Sequence, residues 1–238
     1  MLNGRRGQPY RLGRRHHTPC KRPKALNVEQ DCSSLLLQSR RLHYSSMATS
    51  VLHGSIEEPK VSLRKLTIEE YHKLGEAGIL HPNDRVELID GLLFQMAPIG
   101  PEHQFILEEL NDIFSEQKKG RFKVGPGRPI PIPDLNEPQP DMVLFKTDAG
   151  TRRQHASPQE IYLVIEVSDT TVKYDSEKKL LAYENARIPE YWIVDVPAKA
   201  IRVFRLNQGK KYQETRYTEG SIAVQAFPDV SVHLEDLF

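Results

Sequence analysis

Two acidic residues, one before an apolar stretch of the sequence and one within another, could together form a metal site. Asp141 stands at the start of the apolar segment 142–145, and Glu166 stands near the end of the apolar segment 161–167. If these segments are strands that pair antiparallel, the start of one lies beside the end of the other, and the two carboxylates meet. Buried carboxylates are costly unless a positive charge lies between them. Mg²⁺ or Mn²⁺ suits such a site, because hard cations prefer oxygen ligands.

Each acid also has a simple structural explanation. An aspartate that follows a proline is common in turns, so Asp141 alone is weak evidence. Glu166 is more informative, because in a strand it shares a face with Tyr162 and Val164, where an acid without a function is disfavoured. An ion pair of Glu166 with a neighbouring Lys or Arg remains the alternative. The prediction of a metal site therefore rests on the pair of acids.

A lysine that follows these acids could take part in the same chemistry. A helix is predicted over 175–187, directly after the glutamate strand, and it carries Lys178 and Lys179. Adjacent helical residues point about 100° apart, so only one of the two lysines can face the acids. The spacing does not decide which one does. An ion pair between Asp175 and Lys179 on a solvated helix face is the alternative.

The N-terminal half of the predicted domain contains two helices and a hairpin. Thr67 and Glu70 form a capping-box pattern that predicts the start of a short helix. Asp90 and Gly91 join two β-rich runs, which predicts a tight hairpin. Apolar residues recur at helical spacing over 102–118, which predicts an amphipathic helix on a sheet.

The C-terminal half is predicted to be mostly strand. The Pro-rich segment 121–140 leaves room only for short edge strands. We expect a strand over 191–196, a hairpin over 200–218 and a packed turn over 230–238. The order of these elements indicates an α/β (α+β) fold, in which helices flank a mixed, largely antiparallel sheet with an added C-terminal β-hairpin.

Charge divides the chain into two parts. The sequence carries 33 Lys and Arg against 32 Asp and Glu, a net charge of +1. Residues 1–46 hold ten basic residues and two acids, so this segment carries +8 and residues 47–238 carry −7. We interpret 1–46 as a basic extension that is disordered or not part of the working protein, with Met47 as the natural start. An organelle transit peptide and a nucleic-acid-binding arm are the alternatives.

The positions of the cysteines and the lengths of the apolar stretches predict a cytoplasmic protein. Residues 47–60 form a polar lead-in, and 61–238 form the predicted folded domain. Cys20 and Cys32 both lie in the extension, and a domain without cysteine fits a reducing compartment. No stretch approaches the ~18 apolar residues that a membrane span needs. We therefore expect no membrane partner.

From about residue 66 to residue 238 the sequence resembles the Uma-two family, whose members look like restriction endonucleases of the PD-(D/E)xK fold. The matching segments are 66–71, 86–91, 139–141, 162–168, 179–183 and 188–195. The resemblance implies a restriction endonuclease-like sheet flanked by helices. It also implies an endonuclease that depends on Mg²⁺ or Mn²⁺ and hydrolyses the phosphodiester bonds of nucleic acid, with DNA the expected substrate.

The resemblance implies four site residues. Glu87 and Asp141 would lie near the metal, and Glu166 would be the acid of the (D/E)xK element. Ser168 stands where that element should have its lysine. The family supplies this lysine from the following helix, at Lys179. The expected catalytic residues are therefore Glu87, Asp141, Glu166 and Lys179, and the expected metal ligands are Asp141 and Glu166 with help from Glu87.

Some other polar residues have two possible roles. His103 is interpreted as a polar residue in the first turn of its helix, and a substrate contact is the alternative. Six cations in loops or at strand ends could follow the phosphates of a nucleic acid or could be ordinary solubilising charge. They are Arg121, Lys123, Arg128, Arg152, Arg153 and Lys173.

Functions other than cleavage also remain open. A catalytically silent nuclease-fold module would bind DNA or a partner protein with acids that hold no metal. A metal-dependent hydrolase for another substrate is disfavoured, because the sequence lacks a His-Glu-x-x-His cluster. The charge of −7 disfavours tight binding to broad stretches of DNA, which requires a basic surface. Edge strands and the apolar segment 191–218 predict a homodimer that could present two sites to two strands.

Overall fold

The computed structural model describes four stretches of the chain: residues 62–81, 83–150, 154–208 and 210–238. The predicted extension 1–46 and lead-in 47–60 lie outside the described residues, and the domain boundaries stay a prediction. Within the described stretches, no helix is both long and apolar enough to cross a membrane.

A short helix, a hairpin and a longer helix come first. They are α1 (Ile68–Glu76), β1 (Val86–Ile89), β2 (Leu92–Gln95) and α2 (Pro101–Gln117). The predicted capping box starts α1: the side chain of Thr67 accepts from the backbone N–H of Glu70, and the carboxylate of Glu70 accepts from the N–H of Thr67. Asp90 and Gly91 join β1 to β2 with φ of 51° and 72°, and a two-residue type I′ turn needs positive φ at both positions.

Within the described residues, six further strands form one sheet. They are β3 (Lys123–Pro126), β4 (Met142–Phe145), β5 (Ile161–Ser168), β6 (Glu190–Asp195), β7 (Ala200–Asn207) and β8 (Lys211–Tyr217). The spatial order is β3-β4-β5-β6-β7-β8. The β5–β6 pair is parallel and the other four pairs are antiparallel. The prediction of a mixed, largely antiparallel sheet is confirmed.

The connection from β5 to β6 differs from the single regular helix that the sequence predicted. It contains a short helix α3 (Val172–Tyr174), a π-helical turn (Asp175–Lys179) and a helix α4 (Leu180–Asn185). Both Asp175 and Lys179 are buried in this turn. A π-helical turn is wider than an α-helical one, and such turns are frequent at functional sites. A search for apolar residues at the 3.6-residue spacing of an α-helix cannot identify a turn of this kind.

The C-terminal segment corrects one prediction. A hairpin of β9 (Ser221–Val224) and β10 (Phe227–His233) precedes a 3₁₀ turn at Leu234–Asp236, whereas a packed turn was expected over 230–238. Ile222 and Val224 alternate with more exposed neighbours and are buried in the core. This alternation is the period-two signal of a half-buried strand.

Two apolar clusters cover the two faces of the sheet. Leu163 and Ile165 of β5 belong to one cluster, with residues of α2 and of β9 and β10. Val164 belongs to the other cluster, which includes Tyr183 of α4. Successive strand residues point to opposite faces, so Glu166 shares the face of Val164 and points toward the helical connection. Each large apolar side chain buried in this way contributes about 1.5–3 kcal/mol.

Candidate functional site

Glu166 is a buried acid at the centre of the candidate site. It lies in β5 and is 3% exposed. Its Oε1 accepts hydrogen bonds from Lys179 Nζ at 3.0 Å and from the Tyr183 hydroxyl at 2.9 Å. Burial raises the pKa of Glu166 well above its ordinary value, and the charge of Lys179 partly opposes that rise. A carboxylate in this position requires a positive partner.

Lys179 supplies that positive charge. Its side chain is nearly inaccessible, and its Nζ lies 3.1 Å from Oε1 of Glu87 as well as 3.0 Å from Oε1 of Glu166. Burial lowers the pKa of Lys179, but the surrounding carboxylates outweigh that effect and raise the pKa above its ordinary value. Lys179 therefore stays protonated. Lys178 is exposed, so the structure brings Lys179 and not Lys178 to the acids.

Glu87 reaches the site from the hairpin. It lies in β1, is 3% exposed and accepts the backbone N–H of Gln139 on Oε2 at 3.0 Å. Its Oε1 accepts the hydroxyl of Tyr174 at 3.2 Å and also faces Lys179. Hydrogen bonds to both oxygens fix the carboxylate in place. The hairpin therefore contributes one fixed acid to the site.

Asp141 is more accessible, with a side chain that is 15% exposed. It directly precedes β4, and the register of Met142 opposite Ile165, continued by one residue, places Asp141 beside Glu166. The backbone N–H of Val167 donates to its Oδ2 at 2.8 Å. The antiparallel pairing predicted from the sequence is confirmed, and it brings the two acids to the same end of the strand pair.

Asp175 is a site residue that the sequence reasoning did not select. It accepts hydrogen bonds from Ser168 Oγ at 2.8 Å and Thr171 Oγ1 at 2.6 Å, and its Oδ1 lies 3.7 Å from Lys179 Nζ. The sequence had suggested a solvated ion pair of Asp175 and Lys179, but both residues are buried. Ser168, at the position expected for lysine, holds Asp175 in place.

His103 and the predicted surface cations lie in different places. Nε2 of His103, in the first turn of α2, is 3.2 Å from Oδ1 of Asp141, so this residue is part of the site and more than a polar end of a helix. Arg121 pairs with Asp229, and Arg128 lies over the ring of Phe145. None of the four described cations of that group lines the site; they are Arg121, Lys123, Arg128 and Lys173. Residues 151–153, with the other two, lie outside the described stretches.

The acids described above, with His103 and Lys179, line one cavity of about 440 Å³, which we call the site cavity. Its polar wall contains Glu87, His103, Asp141, Glu166, Asp175 and Lys179. The rest of the lining includes residues of β2 and of the loop that leads to α2. The acids outnumber the cations in this polar wall, so it attracts positive charge.

Two of the acids suit a hard divalent cation. Asp141 and Glu166 both line the site cavity, and no described residue donates a hydrogen bond to Oε2 of Glu166. No group of three or more His, Asp or Glu side chains with the spacing of a complete metal site occurs among the described residues. Mg²⁺ typically takes one or two carboxylates and keeps several waters. The donor set therefore fits such an ion and does not fit a metal that needs a full protein cage.

Comparisons with known proteins bear on the family and the fold of this chain. The family model described as "Uma2: Putative restriction endonuclease" matches residues 68–235. The crystal structure of a putative nuclease belonging to DUF820 from Anabaena variabilis ATCC 29413 is similar, with a TM-score of 0.55 at 15% sequence identity, over 73% of this chain and 97% of that chain. At this identity the likeness shows the fold alone. A search of curated proteins gave no match.

Proposed function

Because the chain belongs to the Uma2 family of putative restriction endonucleases, we propose that it is a Mg²⁺- or Mn²⁺-dependent endonuclease that hydrolyses phosphodiester bonds of nucleic acid, with DNA as the first substrate to test. The observation that carries the proposal is the meeting of three acids and one lysine at the site cavity. Glu87, Asp141, Glu166 and Lys179 come from four separate segments of the chain.

Asp141 and Glu166 are the residues that would hold the metal ion. When bound, the ion would lower the pKa of a water molecule and offset the negative charge that builds on the scissile phosphate. The carboxylate of Asp141 is fixed by the N–H of Val167, and that of Glu166 by Tyr183 and Lys179. Two carboxylates that are held in advance need little reorganisation during the reaction.

Lys179 would act on the phosphate or on the attacking water. Its Nζ lies at the site cavity, 3.0 Å from Oε1 of Glu166, and can donate to an oxygen on which negative charge develops. Glu87 and Asp175 lie 3.1 Å and 3.7 Å from this Nζ and orient it. Glu87 therefore supports the lysine in this proposal, in addition to its expected role near the metal.

A cleavage assay on the full chain tests the proposal. Plasmid DNA, a DNA oligonucleotide and an RNA oligonucleotide are incubated with Mg²⁺ or Mn²⁺, and EDTA is the blank. The wild type is expected to cleave at least one of them, while Glu166→Gln, Asp141→Asn and Lys179→Met are expected to lose activity. Lys178→Met, a matched change at the exposed neighbour, is expected to retain it. Cleavage by the three site variants at the wild-type rate would contradict the proposal.

One observation favours a second candidate, a catalytically silent nuclease-fold module. Lys179 lies 3.0 Å from Glu166 and 3.1 Å from Glu87, so both acids have a positive partner without a metal ion. This candidate predicts that the wild type and Glu166→Gln bind nucleic acid with equal affinity. It also predicts that the wild type cleaves none of the three substrates. The predicted homodimer and cytoplasmic location stay predictions.

A further inference from the structure

The site cavity has a second wall that the proposed chemistry does not use. This wall consists of Phe94 in β2 and the residues that follow it, including Met96 and Ile99. Ile99 is 43% exposed although it is a large apolar residue. An exposed apolar wall beside a polar reaction centre is typical of a pocket that binds part of a ligand.

Phe94 is tied to the acid cluster by the hairpin. It pairs directly with Glu87 across β1 and β2, so both side chains lie on the same face. Its ring centroid is 5.0 Å from that of Tyr174, whose hydroxyl donates to Glu87. The hairpin therefore presents an acid and an aromatic ring to the same cavity. An aromatic ring in this position can stack on a nucleobase, whatever its identity.

Arg85 adds a positive charge at the same place. It directly precedes β1 and lines the site cavity, and no described residue forms an ion pair or a side-chain hydrogen bond with its guanidinium. Its backbone carbonyl accepts the N–H of Met96 at 2.8 Å, which holds it beside the apolar wall. Arginine is well suited to a phosphate group, which accepts hydrogen bonds from two of its N–H groups.

We infer that the site cavity binds one unstacked nucleotide, with its base on Phe94 and a phosphate at Arg85. The inference rests on the proposed function and names its substrate class as single-stranded or locally opened nucleic acid. A base inside a continuous duplex is stacked on its neighbours and cannot reach the ring without leaving the helix. The charge of −7 over residues 47–238 also disfavours duplex binding, whereas stacking supplies affinity without a broad basic surface.

Binding by the full chain tests the inference separately from cleavage. Labelled oligonucleotides of about 12 nucleotides, as single-stranded DNA, single-stranded RNA and duplex DNA, are titrated with the protein while Ca²⁺ replaces Mg²⁺. Fluorescence anisotropy reports the affinity. The wild type is expected to bind a single strand about tenfold more tightly than the duplex. A preference for single-stranded DNA or for single-stranded RNA would show whether the bound nucleotide is a deoxyribonucleotide or a ribonucleotide. Either result supports the inference.

Variants of the hairpin give the matched controls. Phe94→Leu keeps apolar volume against Tyr174 without the ring and is expected to weaken single-strand binding about tenfold. Phe94→Tyr retains the ring and is expected to bind like the wild type, as is Leu93→Ala, which changes the neighbouring residue of β2 outside the cavity. Arg85→Gln is expected to weaken binding. The slope of log affinity against log salt concentration should become shallower by about 1, the loss expected for one phosphate contact.

The outcomes distinguish the two proposals. Equal affinity for duplex and single strand, or unchanged binding by Phe94→Leu, would overturn the inference even if the protein cleaves DNA. A single-strand preference that depends on Phe94, without any cleavage in Mg²⁺ or Mn²⁺, would support the pocket and contradict the proposed endonuclease.

Discussion

The ammonium of Lys179 lies 3.0 Å from Oε1 of Glu166, although 13 residues separate the two in sequence. In the (D/E)xK pattern the lysine would follow the acid by two positions, where this chain has Ser168. The connection after β5 returns the chain so that a lysine from the π-helical turn reaches the same acid. A lysine elsewhere in the sequence can therefore contact the glutamate when the strand position two residues after the glutamate holds no lysine.

The first prediction concerns the stability that this lysine provides. Lys179→Met leaves the buried carboxylates of Glu166 and Glu87 without a positive partner. We expect the free energy of unfolding to fall by about 3–5 kcal/mol, the usual cost of removing one member of a buried ion pair. The exposed control Lys178→Met should stay within about 0.5 kcal/mol of the wild type. Urea denaturation in EDTA measures both.

A second substitution checks the cause of that loss. Glu166→Gln added to Lys179→Met removes one of the unpaired charges, so the double variant should recover part of the lost stability. Equal stability of Lys179→Met and Lys178→Met would show that the lysine does not compensate the acids.

The second prediction concerns Asp175 as a positioning residue. Asp175→Asn keeps the size of the side chain and one oxygen that can accept from Ser168 and Thr171, which both donate to Oδ2, but it removes the charge that faces Lys179 at 3.7 Å. We expect kcat to fall by about tenfold to a hundredfold, as for other residues that orient a reacting group, while KM changes little. Steady-state cleavage kinetics measure this split.

Glu177→Gln is the control for that experiment, because Glu177 lies in the same π-helical turn but is exposed. It should retain wild-type kcat. If both variants lose activity equally, the effect belongs to the turn as a whole and Asp175 has no specific role.

The third prediction concerns the pH dependence of stability at Glu190. This residue is fully buried; burial raises its pKa above the ordinary value of 4.5, and hydrogen bonds from Gln225, Trp192 and Arg205 partly oppose the rise. The folded state then binds the proton more tightly than the unfolded state. The contribution of Glu190 to stability is therefore greatest below pH 4.5 and falls as the pH rises toward the folded pKa.

Glu190→Gln isolates this effect because glutamine does not titrate. Urea denaturation between pH 4.5 and 7 should show that the wild type loses stability relative to Glu190→Gln as the pH rises, by at most about 1.4 kcal/mol per pH unit. A difference that stays constant would mean that the hydrogen bonds offset burial, and one that grows in favour of the wild type would mean that they outweigh it.

Local patterns in the sequence predicted much of the fold. The capping box at Thr67, the turn at Asp90 and Gly91 and the apolar runs of β4 and β5 are signals within a few neighbouring residues. The antiparallel pairing of β4 and β5, which brings Asp141 to Glu166, follows from the positions of those runs. The hairpin of β9 and β10 was missed although Ile222 and Val224 carry an alternating signal. That signal is weak because each strand has only two buried apolar residues on the core face.

The candidate site was less predictable, because its contacts join distant parts of the chain. Spacing could not distinguish Lys178 from Lys179, since the choice depends on how the π-helical turn faces β5. Asp175, buried beside Lys179, looked like an ordinary acid in a helix. Arg85 and Phe94 belong to a hairpin whose sequence indicates only its turn, and their place on the site cavity depends on how the hairpin packs against the sheet. The roles of all these residues stay predictions.

Divalent metal binding tests the central claim most directly. Mn²⁺ and Mg²⁺ are titrated into the full chain by calorimetry, with wild type, Asp141→Asn and Glu166→Gln compared. Glu184→Gln is the control, because Glu184 is a buried acid that pairs with Lys211 outside the site cavity. We predict binding by the wild type and the control and its loss in the two site variants. No binding by the wild type, even with an oligonucleotide present, or unchanged binding by Glu166→Gln, would contradict the claim that Asp141 and Glu166 hold a catalytic metal ion.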